Sequence, residues 1–185
     1  MKLLKNPVVA VLLSLVIVVA STLVSVNLRF GAKCQAVTDG FYDGVDSDGY
    51  RQQAMATHLK NIGSYVDGLL TIAKHYDVDS AALQSSLDIF KAALRNQNSV
   101  SNLYETYTAM MRDESALEAA LAQQELSDRD AEGYALYASE ISGARSAMEI
   151  TGYNESVRTF LLKYKRFPTD TLAALSGVSY PEYFA

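Results

Sequence analysis

The sequence predicts an all-α protein, with an N-terminal transmembrane helix followed by a long antiparallel four-helix bundle. Residues 8–28 form an apolar stretch without a charged side chain. From residue 55 onwards, apolar side chains recur in steps of four and three, which places them on one face of a helix. No stretch keeps the alternation typical of a β-strand. The chain divides into an N-terminal flank (1–7), a transmembrane anchor (8–28), a linker (29–48) and a helical bundle with a C-terminal tail (49–185).

The apolar stretch is long enough to cross a bilayer. At about 1.5 Å of rise per residue, residues 8–28 span roughly 31 Å, the thickness of a bilayer core. A signal peptide cleaved near Ala20 is the alternative, but the stretch continues past that point and is long for a signal peptide. We therefore predict a retained single-pass anchor in contact with membrane lipid. The amino terminus, Lys2 and Lys5 slightly outweigh Arg29 and Lys33, which favours a bundle outside the cytoplasm.

Charge and cysteine content exclude several partners. Lys2 and Lys5 are two of the 16 basic residues, which leaves 14 basic against 21 acidic residues and a net charge of −7 for the rest of the chain. This balance opposes a nucleic-acid partner and electrostatic docking on anionic lipid. Cys34 is the only cysteine, so an intrachain disulfide and a Cys-rich metal site are excluded. Lys33 precedes it, whereas a lipoprotein signal has a small residue there, so lipidation is not predicted.

Two segments outside the helices have a distinctive composition. The linker region includes DGFYDGVDSDGY at 39–50, in which Asp46, Asp48 and Gly49 partly resemble a calcium-binding loop. The alternating ligands and terminal Glu of such a loop are missing, so we predict a solvated linker without a metal site. The tail after Pro168 is apolar and aromatic, and we predict that it folds back onto the bundle. An exposed surface for a partner is the alternative.

Four soluble helices are predicted from the spacing of apolar residues. These residues are Met55, Leu59, Ile62, Val66, Leu69, Ala73 and Tyr76 on the first helix, Leu83, Leu87, Phe90 and Leu94 on the second, Leu103, Tyr107, Met110, Leu117 and Leu121 on the third, and Tyr137, Ile141, Ala144, Met148, Tyr153, Val157, Phe160 and Tyr164 on the fourth. The fourth is predicted to run unbroken over 127–168, capped by Ser127 or Asp128 and ended by Pro168. Gly152 marks a change in the phase of its apolar face.

The reactive side chains do not form a recognisable catalytic or metal-binding motif. The only histidines, His58 and His75, are seventeen residues apart on one helix and therefore lie on different faces. Neither follows a Glu three residues earlier, as in the Glu-x-x-His pairs of di-iron bundles. No phosphate-binding glycine loop and no Cys pair is present. We predict no enzyme activity and no catalytic, cofactor-binding or metal-binding residues; carboxylates that meet in the fold would be needed for a hydrolase.

The C-terminal part of the chain carries a more specific pattern. It has Arg145, then Tyr153-Asn154-Glu155-Ser156-Val157-Arg158, Phe167-Pro168, Leu172-Ala173, Leu175, Gly177 and Tyr183-Phe184. This order resembles the LemA family of bacterial membrane-anchored helical proteins, in which an Arg precedes Tyr-Asn-x-x-Val, Phe-Pro-x-Asn, a Gly and Tyr-Phe. The segment HLKNIGSYVDGLLTIAKHY at 58–76 is also similar to that family. Phe160-Leu161, Asp170 and Ser176 depart from the pattern, as in a divergent member.

The resemblance implies a single-pass anchor that carries a long antiparallel four-helix bundle in a bacterial cell membrane, and it implies no established activity, cofactor or catalytic residue. The family signature positions are Arg145, Tyr153, Asn154, Val157, Arg158, Phe167, Pro168, Tyr183 and Phe184. We predict structural roles: Tyr153 packs among the helices, Asn154 hydrogen-bonds across them, and Phe167-Pro168 ends the helix and seats the tail. Alternatively, Asn154 and Arg158, four residues apart on a helix, form a polar contact with a partner.

The leading functional hypothesis is a membrane-anchored, non-enzymatic helical bundle that acts as a scaffold or adaptor in the bacterial cell envelope. It implies one or more protein partners and allows a homo-oligomer. Ser21 and Ser25 form a small-xxx-small pair that would let two anchors pack closely, but such pairs often arise by chance, and lipid-facing positions are the favoured interpretation. The alternative is a ligand-sensing helical bundle. No second apolar stretch of spanning length follows the anchor in this sequence, so such a sensor would work with a separate membrane partner.

Overall fold

The computed structural model describes residues 7–47 and 49–185, and within these ranges the predicted all-α class is confirmed, with one short β-hairpin added. The elements are α1 (Pro7–Asp43), β1 (Asp46–Ser47), β2 (Tyr50–Arg51), α2 (Met55–His75), α3 (Ala81–Arg95), α4 (Val100–Leu121), α5 (Asp128–Glu149), α6 (Tyr153–Tyr164) and α7 (Thr169–Leu175). β1 and β2 pair antiparallel. The chain forms two compact units: the first contains the described residues up to Asp39 together with 156–181, and the second contains 40–155 and 182–185.

Helix α1 contains the predicted anchor and continues beyond it. By length and composition, this helix is sufficient to cross a membrane. Large apolar side chains along its N-terminal part are exposed; Val11, Leu15 and Val19 each have half or more of their surface free. The predicted linker, residues 29–48, differs from expectation, because residues 29–43 continue α1 as helix. The helix gives way to the hairpin at Gly44, whose φ of +89° is a conformation that glycine adopts readily.

An apolar core in the first unit explains why α1 continues. Phe30 and Cys34 are one helical turn apart and are buried together with Phe160 of α6 and Ala173 of α7. The rings of Phe30 and Phe160 stack with their centroids 5.8 Å apart. Burial of these side chains stabilises the helical conformation of residues 29–39, although the Asp-rich and Gly-rich composition that follows is typical of a turn.

Helices α2 to α5 form the four-helix core of the second unit. α2 packs against α3 and α5, and α3 packs against α4. The apolar residues predicted for the first three soluble helices are buried at Met55, Leu59, Ile62, Val66, Leu69, Ala73, Leu83, Leu87, Phe90, Leu103, Tyr107, Met110, Leu117 and Leu121. The polar residues 96–99 form the connection between α3 and α4. The spacing of apolar residues therefore located these three helices correctly.

The predicted fourth helix is two helices, which corrects the expectation of one helix over 127–168. α5 and α6 are separated by residues 150–152. Gly152 has a φ of +72°, a left-handed conformation that glycine adopts without steric cost and that interrupts an α-helix. α6 then ends at Tyr164, before the predicted end at Pro168. The change of phase at Gly152 in the sequence therefore marks a break in the helix.

A glycine allows α2 and α5 to pack closely. A Cβ atom placed on Gly68 of α2 would lie 2.5 Å from ring atoms of Tyr137 on α5, well inside van der Waals contact. A Cβ placed on Gly143 of α5 would meet no atom within 4 Å. Gly68 therefore has a packing role. Gly143 lowers helix stability by about 1 kcal/mol relative to Ala without making room for a neighbour.

Candidate functional site

The signature residue Tyr153 begins α6 and contacts the end of the chain within the second unit. Its side chain is fully buried, and its ring meets that of Phe41 edge-on with the centroids 5.1 Å apart. The Tyr153 hydroxyl donates a hydrogen bond to the carbonyl oxygen of Glu182 at 2.8 Å. Burial raises the pKa of Tyr153, and the negative charge of Glu182 adds to the shift. The phenol is therefore a neutral hydrogen-bond donor.

The signature residue Asn154 binds the backbone of Phe184. Its Nδ2 donates to the Phe184 carbonyl oxygen at 3.1 Å, and its Oδ1 accepts from the Phe184 backbone N–H at 2.9 Å. The prediction that Asn154 hydrogen-bonds across helices is therefore wrong, because its partner is the tail. The same two bonds occupy the amide that the alternative hypothesis assigned to a protein partner.

Phe184 fills an aromatic pocket in the second unit. Only 8% of its surface is exposed. Its ring centroid lies 5.6 Å from that of Phe41, 5.2 Å from that of Tyr104 and 5.6 Å from that of Tyr107. These rings are tilted or edge-on, the arrangements that the aromatic quadrupole favours. The fold-back predicted for the tail is thus realised at Phe184.

Glu182 attaches the same segment to the start of α4. Its Oε2 accepts a hydrogen bond from the backbone N–H of Ser101 at 3.0 Å. The first N–H groups of a helix lack intrahelical partners, and the helix dipole favours a carboxylate there. We call Ser101, Tyr153, Asn154, Glu182 and Phe184 the C-terminal clasp.

The other signature positions near α6 and α7 do not take part in the clasp. Val157, Arg158, Phe167 and Pro168 belong to the first unit. Val157 is fully buried, whereas Phe167 is 84% exposed. The prediction that Phe167 seats the tail is therefore wrong, while Pro168 precedes α7 as its N-cap residue. Tyr183, between two clasp residues in sequence, is 39% exposed.

The signature residue Arg145 lies on α5 near a buried carboxyl group of α4. Glu114 is only 4% exposed. Burial raises the pKa of Glu114 to about 7, the negative charge of Glu118 adds to this, and the positive charge of Arg145 acts against it. Burial also raises the pKa of Tyr107, again with Arg145 acting against the shift. Glu114, Tyr107 and Arg145 therefore form a polar cluster at an otherwise apolar position of the bundle.

A Ser, an Asp and a His come together where α2 ends and α5 begins. The Ser127 Oγ donates to Asp130 Oδ2 at 3.0 Å, the Tyr76 hydroxyl donates to the same atom at 2.9 Å, and His75 Nδ1 lies 3.8 Å from it. In a catalytic triad the His stands between the Ser and the Asp, so that it can accept the Ser proton. Here the carboxylate stands between them, and the Ser127 Oγ also accepts the Asp130 backbone N–H at 3.2 Å. The arrangement caps α5 and does not activate a nucleophile.

Metal binding finds no support in residues 7–47 and 49–185. Within these ranges no group of three or more His, Cys, Asp or Glu side chains is placed to hold a metal ion. His58 is half-buried on α2, and burial lowers its pKa.

A cleft between α2 and α3 was not predicted from the sequence. Its volume is about 580 Å³, and it is lined by Tyr42, Ala56, Thr57, Lys60, Gly63, Ser64, Phe90, Lys91, Leu94 and Arg95. Leu94 is half-buried and supplies apolar surface, Phe90 is fully buried, and the three basic side chains supply positive charge. Lys91 forms a salt bridge with Asp67. In the part of the chain that the structure describes, Lys60 and Arg95 form no salt bridge. The cleft therefore combines positive charge with a small apolar surface.

Known proteins give no direct guide to this chain. No family model matches it, no curated protein is significantly similar, and no solved structure matches its fold significantly. Its function must therefore be argued from the geometry of its own residues.

Proposed function

We propose that this chain is a membrane-anchored, non-enzymatic helical scaffold or adaptor of the bacterial cell envelope, related to the LemA family. The observation that carries the proposal is helix α1, which contains an apolar stretch of bilayer length and then continues without interruption to Asp43. A helical bundle attached in this way stays beside the membrane and offers its outer surface to other proteins.

The C-terminal clasp supports a structural role for the signature residues. The Tyr153 hydroxyl, the Asn154 amide and the Phe184 ring all have partners within the second unit. While the clasp is closed, these groups are unavailable to a substrate or a partner. A scaffold of this kind would bind its partners through exposed positions on its helices, away from the residues that hold the fold together.

Affinity purification of the full chain from membranes in a mild detergent tests the proposal. We expect a co-purifying protein or self-association of the chain. The matched control replaces residues 8–28 by an unrelated apolar span of the same length, so that a partner of the bundle remains bound and a partner of the anchor is lost. A chain that is monomeric and returns no partner with either anchor would contradict the scaffold hypothesis.

The α2–α3 cleft favours a second candidate, a ligand-sensing bundle that works with a separate membrane partner. Lys60 and Arg95 could bind a carboxylate or phosphate, while Leu94 contacts the apolar body of the same molecule. A small amphipathic anion is therefore the ligand class that fits. The cleft is about as large as many small-molecule sites, roughly 300–1,000 Å³.

A thermal-shift series on the full chain in detergent tests the sensor hypothesis with short-chain and aromatic carboxylates as probes. We expect a dose-dependent rise in Tm that Lys60→Gln combined with Arg95→Gln abolishes. Lys74→Gln is the matched control, because Lys74 is exposed on α2 and does not line the cleft. An equal shift in the double variant, or no shift with any probe, would contradict this hypothesis.

A further inference from the structure

Aromatic side chains of the first unit gather just beyond the apolar stretch of α1. The Phe30 ring lies edge-on to Tyr164 and Tyr180, with centroid distances of 5.5 Å and 5.6 Å. The Lys33 ammonium lies 3.5 Å from the Tyr164 hydroxyl and 5.3 Å from its ring centroid. Phe30 and Lys33 follow residue 28 by roughly 3 Å and 7.5 Å along the helix axis. With residues 8–28 placed in the bilayer core, Tyr164 and Tyr180 would lie at the level where the headgroups begin, a position at which Tyr is enriched in membrane proteins.

A hydrogen bond places the end of α7 at the same level. The Asn27 side-chain amide donates to the carbonyl oxygen of Ser176 at 2.8 Å. Asn27 belongs to the last turn of the apolar stretch. Leu175, the last residue of α7, is 66% exposed. A largely exposed leucine thus lies beside the turn of α1 that would leave the hydrocarbon core.

The segment 162–176, which we call the interfacial segment, combines exposed apolar and basic side chains. Leu162 is 72% exposed and Phe167 is 84% exposed. Its basic residues are Lys163, Lys165 and Arg166, all exposed. Exposed aromatic and leucine side chains interspersed with Lys and Arg are typical of segments that lie in the membrane interface. In water, the same apolar side chains would remain hydrated at a free-energy cost.

The two units carry net charges of opposite sign. Beyond residue 28, the first unit has six basic and two acidic side chains, a net charge of +4. The second unit has eight basic and nineteen acidic side chains, a net charge of −11. The positive unit is the one that contains the apolar stretch of α1. Each basic residue near an anionic membrane surface contributes about 1 kcal/mol of attraction.

We propose that the interfacial segment docks on the surface of the membrane that α1 crosses. Its three exposed apolar side chains enter the boundary between headgroups and acyl chains, and its three basic side chains contact anionic phospholipid headgroups. The inference rests on the proposed anchor. Lipid is the occupant because the Phe30–Tyr164 ring contact near the start of the segment and the Asn27–Ser176 hydrogen bond at its end place the segment beside residues 27–30 of α1. A second copy of this unit would offer the basic side chains only Asp39 and Asp170 as counter-charges.

Single-tryptophan variants of the full chain test this docking, because the sequence contains no Trp. We would reconstitute Phe167→Trp and Leu175→Trp in phosphatidylcholine liposomes, with and without phosphatidylglycerol, and quench their emission with acyl-brominated lipid or with aqueous acrylamide. Val16→Trp reports whether the anchor lies in the hydrocarbon core of the bilayer. Ala36→Trp is the matched control, because Ala36 is exposed on α1 in the same unit, nine residues or roughly 14 Å beyond Asn27.

We expect Phe167→Trp and Leu175→Trp to have blue-shifted emission, quenched by shallowly brominated lipid and protected from acrylamide. Ala36→Trp should show the reverse. If both interfacial variants behave like Ala36→Trp while deeply brominated lipid quenches Val16→Trp, docking is disproved and the anchor stands. If Val16→Trp is not quenched by lipid, both the anchor and the docking fail.

A further experiment tests the contribution of the basic side chains. It combines Lys163→Gln, Lys165→Gln and Arg166→Gln with the reporter Leu175→Trp. In liposomes with phosphatidylglycerol, we expect these substitutions to reduce lipid quenching of the reporter towards its value in phosphatidylcholine alone. Quenching that does not respond to phosphatidylglycerol or to the substitutions would overturn the contact with anionic headgroups. Emission changes that disappear when the chain is diluted into excess lipid would show that a second copy, and not lipid, covers the segment.

Discussion

The side-chain amide of Asn154 and the backbone of Phe184 exchange two hydrogen bonds, one in each direction, although the two residues are 30 positions apart. A carboxamide can imitate the peptide group of a neighbouring strand in this way, because it carries a donor and an acceptor side by side. The two bonds hold the Phe184 backbone in place while its ring packs against Tyr104. The hydrogen bonds from Asn154 thus position the Phe184 ring for its contact with Tyr104.

Removal of the Asn154 amide should open the clasp. We expect Asn154→Ala to lower the free energy of unfolding by about 1–3 kcal/mol, because the N–H and C=O of Phe184 lose their partners. Hydrogen exchange of the full chain in detergent should show faster exchange of the Phe184 amide. Tyr183→Ala, next to it and partly exposed, serves as the control and should leave this amide protected. A Phe184 amide that stays protected in Asn154→Ala would show that other contacts hold the tail.

Glu114 should make the stability of the second unit depend on pH. Its pKa in the fold is raised from 4.5 to about 7, so the folded state favours the protonated carboxyl group. The stability associated with this protonation is present below pH 4.5 and is lost as the pH rises through about 7, because the carboxyl group must then ionise in a buried position beside Glu118. The positive charge of Arg145 and a hydrogen bond with the Ser115 side chain oppose this loss.

Glu114→Gln should remove that dependence. Above pH 7 we expect the free energy of unfolding of the variant to be about 1–3 kcal/mol higher than that of the unmodified chain. Below pH 4.5 we expect no difference in this free energy. Denaturant unfolding at a series of pH values measures both. Glu105→Gln, at an exposed position of the same helix, is the control. It should change the free energy of unfolding neither above pH 7 nor below pH 4.5. A difference independent of pH would mean that Gln acts through packing alone.

Gly68 of α2 and Gly143 of α5 should respond oppositely to substitution by alanine. Gly68→Ala brings a methyl group against the Tyr137 ring and should lower the free energy of unfolding by about 1–3 kcal/mol, as overpacked cores do. Gly143→Ala meets no neighbour and should raise it by up to about 1 kcal/mol. Thermal unfolding of both variants in the same detergent gives the comparison. Stabilisation by Gly68→Ala would show that the Tyr137 ring moves aside without cost.

Cys34 should react slowly with maleimides in the folded chain. It is only 4% exposed in the core of the first unit, and burial raises its pKa, which lowers the fraction of reactive thiolate. We expect it to label about tenfold more slowly than Gln35→Cys in a Cys34→Ala background, since Gln35 is exposed. Mass spectrometry of the labelled chain gives the rates. Denaturant should remove the difference, and equal rates in the folded chain would contradict the buried core.

The sequence could predict what depends on local periodicity. α2, α3 and α4 each carry one apolar face, and that face is buried where the pattern places it. The continuation of α1 was missed, because the side chains that stabilise it, such as Phe160, are distant in sequence. The clasp was missed for a related reason: the partner of Asn154 is a backbone group, which leaves no trace in residue type.

The net charge of the sequence is another property that does not predict the fold's arrangement. The net charge of −7 beyond the flank describes neither unit, because the fold groups the basic residues 163–166 with α1 and leaves most acidic residues in the second unit. The expectation that anionic lipid would repel the chain treated its charge as uniform. The α2–α3 cleft likewise joins Lys60 to Lys91 across two helices, a proximity that spacing along one helix cannot reveal.

The position of Phe184 also sets an order of events during synthesis on the ribosome. The four helices of the second unit are all made before residue 182, but until Phe184 emerges their aromatic pocket stays open at Phe41, Tyr104 and Tyr107. A nascent chain at that stage lacks one of the contacts that cover these three rings, and exposed apolar surface on incomplete chains favours binding of chaperones and aggregation. Quality-control factors could therefore distinguish chains with a closed clasp from those without one by a single patch of aromatic surface.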